Sequence, residues 1–317
     1  MAAGSDGQSL VERWQAACVD DQSDVLLSML EECGGSEGGE LGELSSVETT
    51  AGFIVACTRG HVGLLRRLLA LGGEAAVDVH IVRWGMSEAG FQIACERGHL
   101  DVVRELLALT GDREVDVHAG PQGEPEAGFQ VACRNGHTDV VRELLALTGH
   151  REVDVHAGLG GRPEYGFRLA CRDGHVGVLR ELLALSGHRE VDVHVDCEYG
   201  FRVACQSGYV AVVRELLALT GHRAVDVHAG PEGEPDYGFR RACGNGNVDV
   251  VRELLGLTGA RAIPLQARLD AGEVAVQPGK DAVWAGTSTR RGRRGMEVIT
   301  TTERLGAGVS LADGPPL

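Results

Sequence analysis

The chain has 317 residues, of which 46 are acidic and 30 basic, giving a net charge of −16. That balance argues against non-specific binding to nucleic acid or to an anionic membrane. No apolar run approaches the length of a membrane span, and Met1 to Ser9 lacks the basic and apolar blocks of a secretory signal.

Taken in order, residues 1–9 read as a disordered N-terminus. Leu10 to Cys33 then carries two short apolar patterns, Trp14 with Ala17 and Cys18, and Val25, Leu26, Met29 and Leu30. Spacings of i, i+3 and i+4 are those of one-faced helices. Gly34 to Ser46, rich in Gly and Glu, reads as a mobile loop. Beyond it the same helix-pair pattern recurs around Phe53, Phe91, Phe129, Phe167, Phe201 and Phe239, at intervals of 38, 38, 38, 34 and 38 residues. A fixed period in this range marks a repeat architecture. In the copy around Phe129 the first helix shows Phe129, Ala132 and Cys133, and Gly136 breaks it. The second shows Val140, Val141, Leu144 and Leu145, and Gly149 is expected to close it. Helices this short do not hold in water alone, so neighbouring copies must bury one another's apolar faces. One elongated domain is expected, a stack rather than a globule. The copy around Trp14 lacks the Gly-His pair of the others, as suits a capping copy whose outer face meets water.

The segments between copies, such as Val153 to Glu164, run from β-branched residues into Gly and Pro and read as extended, turn-rich fingers. Before Phe201 the finger is cut to Val195-Asp196-Cys197. Most fingers are acidic, with Glu124, Glu126, Glu164, Glu198, Glu234 and Asp236. The finger Ile81 to Met86 is apolar instead, and its Trp84 is a candidate contact for a partner. Ile263-Pro264-Leu265-Gln266-Ala267 opens like one more copy, since proline suits a first helical position. A truncated cap over 263–277 is expected, so the repeat region spans 10–277. Residues 278–317 lack apolar period and read as a disordered tail. Arg290-Arg291-Gly292-Arg293-Arg294 within it is either a solvated cluster or a nuclear-import or RNA-contacting segment, though no aromatic residue is interleaved to stack bases.

Cys18, Cys57, Cys95, Cys133, Cys171, Cys205 and Cys243 occupy one repeat position. Equivalent positions in stacked helices lie about 8–10 Å apart, too far for a disulfide. They read as reduced core thiols of a cytosolic or nuclear protein. Zinc needs four converging ligands, commonly as close pairs, and no such spacing occurs. Cys133 and His137 are separated by the helix-breaking Gly136. With no phosphate loop after a strand and no nucleophile elbow, no metal, cofactor or enzymatic activity is expected.

The order small-Gly-Phe-x-x-Ala-Cys-x-x-Gly-His-x-x-Val-Val-x-x-Leu-Leu resembles the ankyrin-repeat pattern T-P-L-H-x-A-A-x-x-G-H-x-x-V-V-x-x-L-L. His61, His99, His137 and His175 take the family's Gly-His place, and Asp154 to His156 resembles its Asp-Val-Asn. No copy has Thr-Pro at the first helix start, and each full copy runs longer than the family's 33 residues. The resemblance covers about four fifths of the chain. It implies an all-α solenoid of about seven stacked helix-turn-helix repeats joined by fingers. It also implies a non-catalytic, monomeric scaffold that binds a partner protein on a concave surface of fingers and first helices. The rival reading is a nuclear or nucleic-acid-associated factor acting through the arginine-rich tail.

One comparison within the chain bears on the binding surface. Two residues before the Phe stand Ala51, Ala89 and Ala127, then Tyr165, Tyr199 and Tyr237. One residue after it stand Ile54, Gln92 and Gln130, then Arg168, Arg202 and Arg240. Tyr and Arg dominate interface energetics, so these six residues are the candidate grip on an extended, partly acidic segment of another protein. The alternative is that each Tyr replaces the missing Thr-Pro cap and packs between copies while each Arg pairs with a neighbouring finger Glu.

Overall fold

The computed structural model describes residues 9–33, 44–83, 85–120, 125–231, 234–264, 267, 283–292 and 295–304. Where the sequence suggests one elongated body, contacts gather into two compact units, Met1–Gly166 and Phe167–Leu317. The first unit holds helix pairs α1 (Leu10–Val19) and α2 (Ser23–Cys33), α3 (Ser46–Arg59) and α4 (Val62–Leu69), α5 (Ala89–Arg97) and α6 (Leu100–Leu107), and α7 (Ala127–Asn135) and α8 (Thr138–Leu145). Helix α9 (Tyr165–Asp173) begins at the boundary. The second unit continues with α10 (Val176–Leu183), α11 (Val195–Ser207), α12 (Val210–Leu217), α13 (Tyr237–Gly244) and α14 (Val248–Leu255). Each expected copy is therefore a helix pair.

The first helices form one layer and the second helices another. In unit 1, α1 packs on α3, α3 on α5 and α5 on α7, while α2, α4, α6 and α8 follow in series; in unit 2, α11 packs on α13, and α10, α12 and α14 follow in series. Phe53, Phe91, Phe129, Phe167, Phe201 and Phe239 are all fully buried. The rings of Phe53, Phe91, Phe129, Phe167 and Phe201 each lie where the next copy has a glycine. A Cβ on Gly128 would stand 2.8 Å from the Phe91 ring and 3.4 Å from Cys95 Sγ, and one on Gly200 would stand 2.8 Å from Phe167 and 3.0 Å from Cys171 Sγ. The Gly-Phe dipeptide is thus a socket and a knob. Its dimensions leave no room for the proline that the resemblance places there.

Two expectations change. Gly136 does end α7 in the left-handed conformation (φ 77°), but Gly149 does not close α8. That helix ends at Leu145 on a right-handed Ala146, and Gly149 (φ 70°) opens a separate 3-10 turn, Gly149–Arg151. The turn aims Arg151 Nη1 at the Leu107 carbonyl, 2.9 Å away at the end of α6. Arg113 on Leu69 and Arg223 on Leu183, both at 2.9 Å, and Arg261 on Leu217 at 3.0 Å repeat the device. An orphan carbonyl is satisfied and a cation sits at the negative end of the preceding helix. The second change concerns Leu145, expected in the core. It is only half-buried, and Leu144 with Val140 and Val141 forms the seam.

Residues 283–304, expected to be disordered, hold an antiparallel pair of strands, β1 (Val283–Gly292) and β2 (Gly295–Arg304), in register from Val283 opposite Arg304 to Gly292 opposite Gly295. The missed signal is β-branching. Val283, Thr287, Thr289, Val298, Ile299, Thr300, Thr301 and Thr302 suit a pleated surface, and two residues between glycines suit a tight hairpin. The Gly34–Ser46 loop, the truncated cap over 263–277 and the ends of the chain lie largely outside the described residues. No described helix is long and apolar enough to cross a membrane.

The eight cysteines whose side chains are described are free thiols. Burial pushes the thiols of Cys57, Cys95, Cys133, Cys171 and Cys205 far above the ordinary range. Cys18 is raised to about 11, by burial first and then by the Asp21 charge. Cys197 is exposed. Native-state alkylation should therefore label Cys197 well before any member of the buried ladder; rapid modification of Cys95 and Cys133 would refute the packing described. Leu144→Ala should lower stability by roughly 2–5 kcal/mol in chemical denaturation, and Leu145→Ala by clearly less.

Candidate partner-binding surface

The fingers are built on a carboxylate three residues before each Phe. Glu88, Glu126, Glu164, Glu198 and Asp236 are all buried, and all adopt the left-handed backbone, with φ of 54°, 63°, 57°, 61° and 55°. For a residue other than glycine that conformation is strained unless its surroundings hold it. Two bonds to the same histidine do so. The Glu126 N–H donates to the His118 carbonyl at 3.1 Å, and Glu126 Oε1 lies 2.6 Å from His118 Nδ1. The eight-residue span from His118 to Glu126 is thereby closed at its base. The Asp-Val-His triplet supplies the other half, because Asp116 Oδ1 accepts the His118 N–H at 3.0 Å and holds the ring in place.

The same carboxylate reaches the following copy. Glu126 Oε1 accepts the Asp154 N–H at 3.0 Å, and Glu198 Oε1 accepts that of Asp226 at 3.2 Å. In the second copy Thr50 Oγ1 replaces the carboxylate and accepts the Asp78 N–H at 3.0 Å. The acidic fingers are therefore divided in role. Glu126, Glu164, Glu198 and Asp236 are structural, whereas Glu234 remains mostly exposed.

The six candidate gripping residues are not equivalent. Arg168 has a side chain only 7% exposed; its Nη2 bonds Asp196 Oδ2 at 3.0 Å, and its guanidinium lies 4.1 Å from the Tyr199 ring centroid. Arg202 is also buried, donates to the Asp196 carbonyl at 2.8 Å and lies 5.3 Å from the Tyr237 ring. Each of these two arginines thus stacks on the tyrosine of the following copy, with Asp196 rather than a finger Glu as the partner of Arg168 and a backbone carbonyl as that of Arg202. The cause is the shortened finger, which brings Asp196 over the first-helix layer. Tyr165, Tyr199 and Tyr237 are half-buried. Arg240 keeps a side chain 34% exposed, with Glu234 at 3.7 Å. Trp84 lies outside the described residues.

Sequence reasoning missed two features of this face. Arg241, exposed and 5.8 Å from the Tyr237 ring, stands where the other copies carry Val55, Ile93, Val131, Leu169 and Val203. In unit 1, Gln15, Cys18, Val19, Ala51, Val55 and Arg83 line a shallow cleft with exposed Val82 nearby in sequence. The departure of Arg241 from an apolar column was legible; the cleft was not, because it depends on how a finger lies over two helices. Among the described residues no group of histidine, cysteine and carboxylate side chains could hold a metal ion.

No protein-family model and no curated protein matches the chain. Among solved structures, the ankyrin repeat domain of human ASB11 superposes with a TM-score of 0.51 at 22% identity, over 71% of this chain and 99% of that one. The ankyrin repeat domain of Bcl-3 (TM-score 0.48, 17% identity, 69% and 96% covered) and an ankyrin repeat family protein from Legionella pneumophila (0.34, 19%, 81% of each) superpose less well. The helix pairs, their two layers and the superposition on the human domain define an ankyrin-repeat fold.

Because Arg168 and Arg202 are packed between copies, replacing either by Ala should lower the thermal midpoint, with a loss of roughly 1–3 kcal/mol in denaturation. An unchanged midpoint would return both residues to the binding surface.

Proposed function

We propose that the protein is a non-catalytic scaffold that holds another protein on the surface made by its fingers and first helices. The observation behind this reading is that Phe, Ala and Cys repeat from copy to copy while the positions flanking the Phe change together, leaving the half-buried tyrosines with the accessible Arg240 and Arg241 on this face. Ala and Gln give way to Tyr and Arg from Tyr165 onward, and Arg241 replaces an apolar residue. Stacking fixes the first set and also holds Arg168 and Arg202, whereas the tyrosine edges, Arg240 and Arg241 can be chosen for a partner. The exposed edges of Tyr165, Tyr199 and Tyr237, with Arg240 and Arg241, suit an extended, partly acidic segment, since arginine pairs bidentately with carboxylates. Reduced core thiols agree with a cytoplasmic or nuclear setting. Ankyrin-repeat folds serve generally as interaction modules, which supports the reading by analogy of fold.

The test uses the tagged full chain, crosslinked to the partner it captures, beside the variant Arg240→Glu/Arg241→Glu. Both side chains are solvent-accessible, so the thermal midpoint should stay within the range of surface changes, about half a kcal/mol. Crosslinks to the partner should fall at least about tenfold, as expected for the loss of interface arginines. Capture at the wild-type level would move the binding surface elsewhere.

A further inference from the structure

The histidines at the finger bases have a bonding pattern that a neutral histidine beside an ionised carboxylate cannot satisfy. In four of them both ring nitrogens face acceptors. His80 Nδ1 lies 2.7 Å from Glu88 Oε1 and its Nε2 2.8 Å from the Asp112 carbonyl. For His118 the partners are Glu126 at 2.6 Å and the His150 carbonyl at 2.8 Å. For His194 they are Glu198 at 2.6 Å and the His222 carbonyl at 2.7 Å. For His228 they are Asp236 Oδ1 at 2.6 Å and the Ala260 carbonyl at 2.9 Å. In each case the carboxylate belongs to the histidine's own finger and the carbonyl to the 3-10 turn of the following copy.

A neutral imidazole carries one N–H, and a carbonyl oxygen can only accept. Both bonds can exist together only if the ring is an imidazolium or the carboxyl carries the proton. Either way, the pair holds one proton more than a neutral histidine beside an ionised carboxylate. We propose that each of these clasps holds that proton on the histidine ring at neutral pH, so that a bound proton ties one finger to the turn of the next copy. Alkaline pH then loosens the stack and acidification toward neutrality tightens it.

The surroundings favour the proton. His80 is faced by Glu88 and by Asp78, His118 by Glu126 and Asp116, His194 by Glu198 and Asp192, and His228 by Asp236 and Asp226. Asp154 faces Glu126 from the next copy. On the neighbouring turns, the His150 ring bonds Glu114 at 2.5 Å and the His222 ring bonds Glu190 at 2.6 Å. Arg151 and Arg223 act on those outer glutamates. The bond to Glu88 raises His80, and that to Glu198 raises His194. In His118 and His228 burial is the largest single influence and opposes the charge, and the bonds to the carboxylate and to the carbonyl, with the nearby acidic charges, together outweigh it. Glu88 and Glu126 are raised by burial, against the opposing pull of their histidines. Both directions say that the folded pair keeps a proton longer than the unfolded chain does.

The sign follows from linkage. A histidine raised above its ordinary 6.5 contributes stability that is complete below that value and is lost as pH rises through the folded value. Nitrogen-detected NMR of the full chain, labelled at histidine, tests this directly. Four rings should be doubly protonated at pH 7, with midpoints above 6.5, and the thermal midpoint should fall by several degrees between about pH 6.5 and 9. In Glu88→Gln/Glu126→Gln an amide N–H replaces the proton as donor to Nδ1, leaving the neutral ring free to donate from Nε2, so the fall should be shallower. Neutral, single-tautomer rings at pH 7, or a thermal midpoint that holds or rises across that range, would overturn the proposal. The NMR measurement stands even if the double variant does not fold.

Discussion

The fit of each phenylalanine against the glycine of the next copy sets the spacing on which everything else rests. Backbone approaches ring closely enough that a single added carbon would overlap it, and the cysteine one turn further on fills the same seam. Interiors at this density tolerate neither a void nor an extra methyl without a penalty. Uniform spacing is what lets the smaller devices repeat, because a carboxylate or guanidinium placed once relative to its neighbour is then placed correctly in the following copies.

Those devices join copies in three layers of differing worth. The arginine of each 3-10 turn caps the preceding second helix, supplying both a donor and a charge at the helix end. The finger clasps bury a carboxylate against a histidine and against the backbone of the next copy, where an unsatisfied partner would be expensive. On the outside, Arg104 with Glu143 (2.9 Å) and Arg180 with Glu215 (2.8 Å) link second helices, but exposed pairs contribute little.

Such an arrangement constrains what a binding surface can be. Residues at the finger bases are committed to the stack, and so are Arg168 and Arg202, whose charges are stacked on tyrosine rings and bonded to the Asp196 segment. The side chains left accessible on this face are the rims of the tyrosines, Arg240 and Arg241. Rigid backing for those side chains lowers the ordering cost of binding, which is the physical reason a repeat array suits recognition.

Much of this was legible in the chain itself. The period around Phe129, the apolar sets at i, i+3 and i+4, and the recurrence of cysteine at one position determined the helix pairs, the buried thiols and the need for stacking, because each is a local or periodic property. The burial of Leu144 in preference to Leu145 was not determined, since adjacent leucines share a helical stripe and only the packed neighbour selects between them. The hairpin 283–304 was missed because a helix-period reading passes over β-branched runs. Glu126 looked like one more acidic finger residue; only the fold brings it beside His118, and buries it in a left-handed backbone. Arg168 and Arg202 looked like a grip for the same reason. Sequence specifies which side chains recur, but whether a charge faces a partner or its own neighbour depends on distances between copies, and those exist only once the stack has closed.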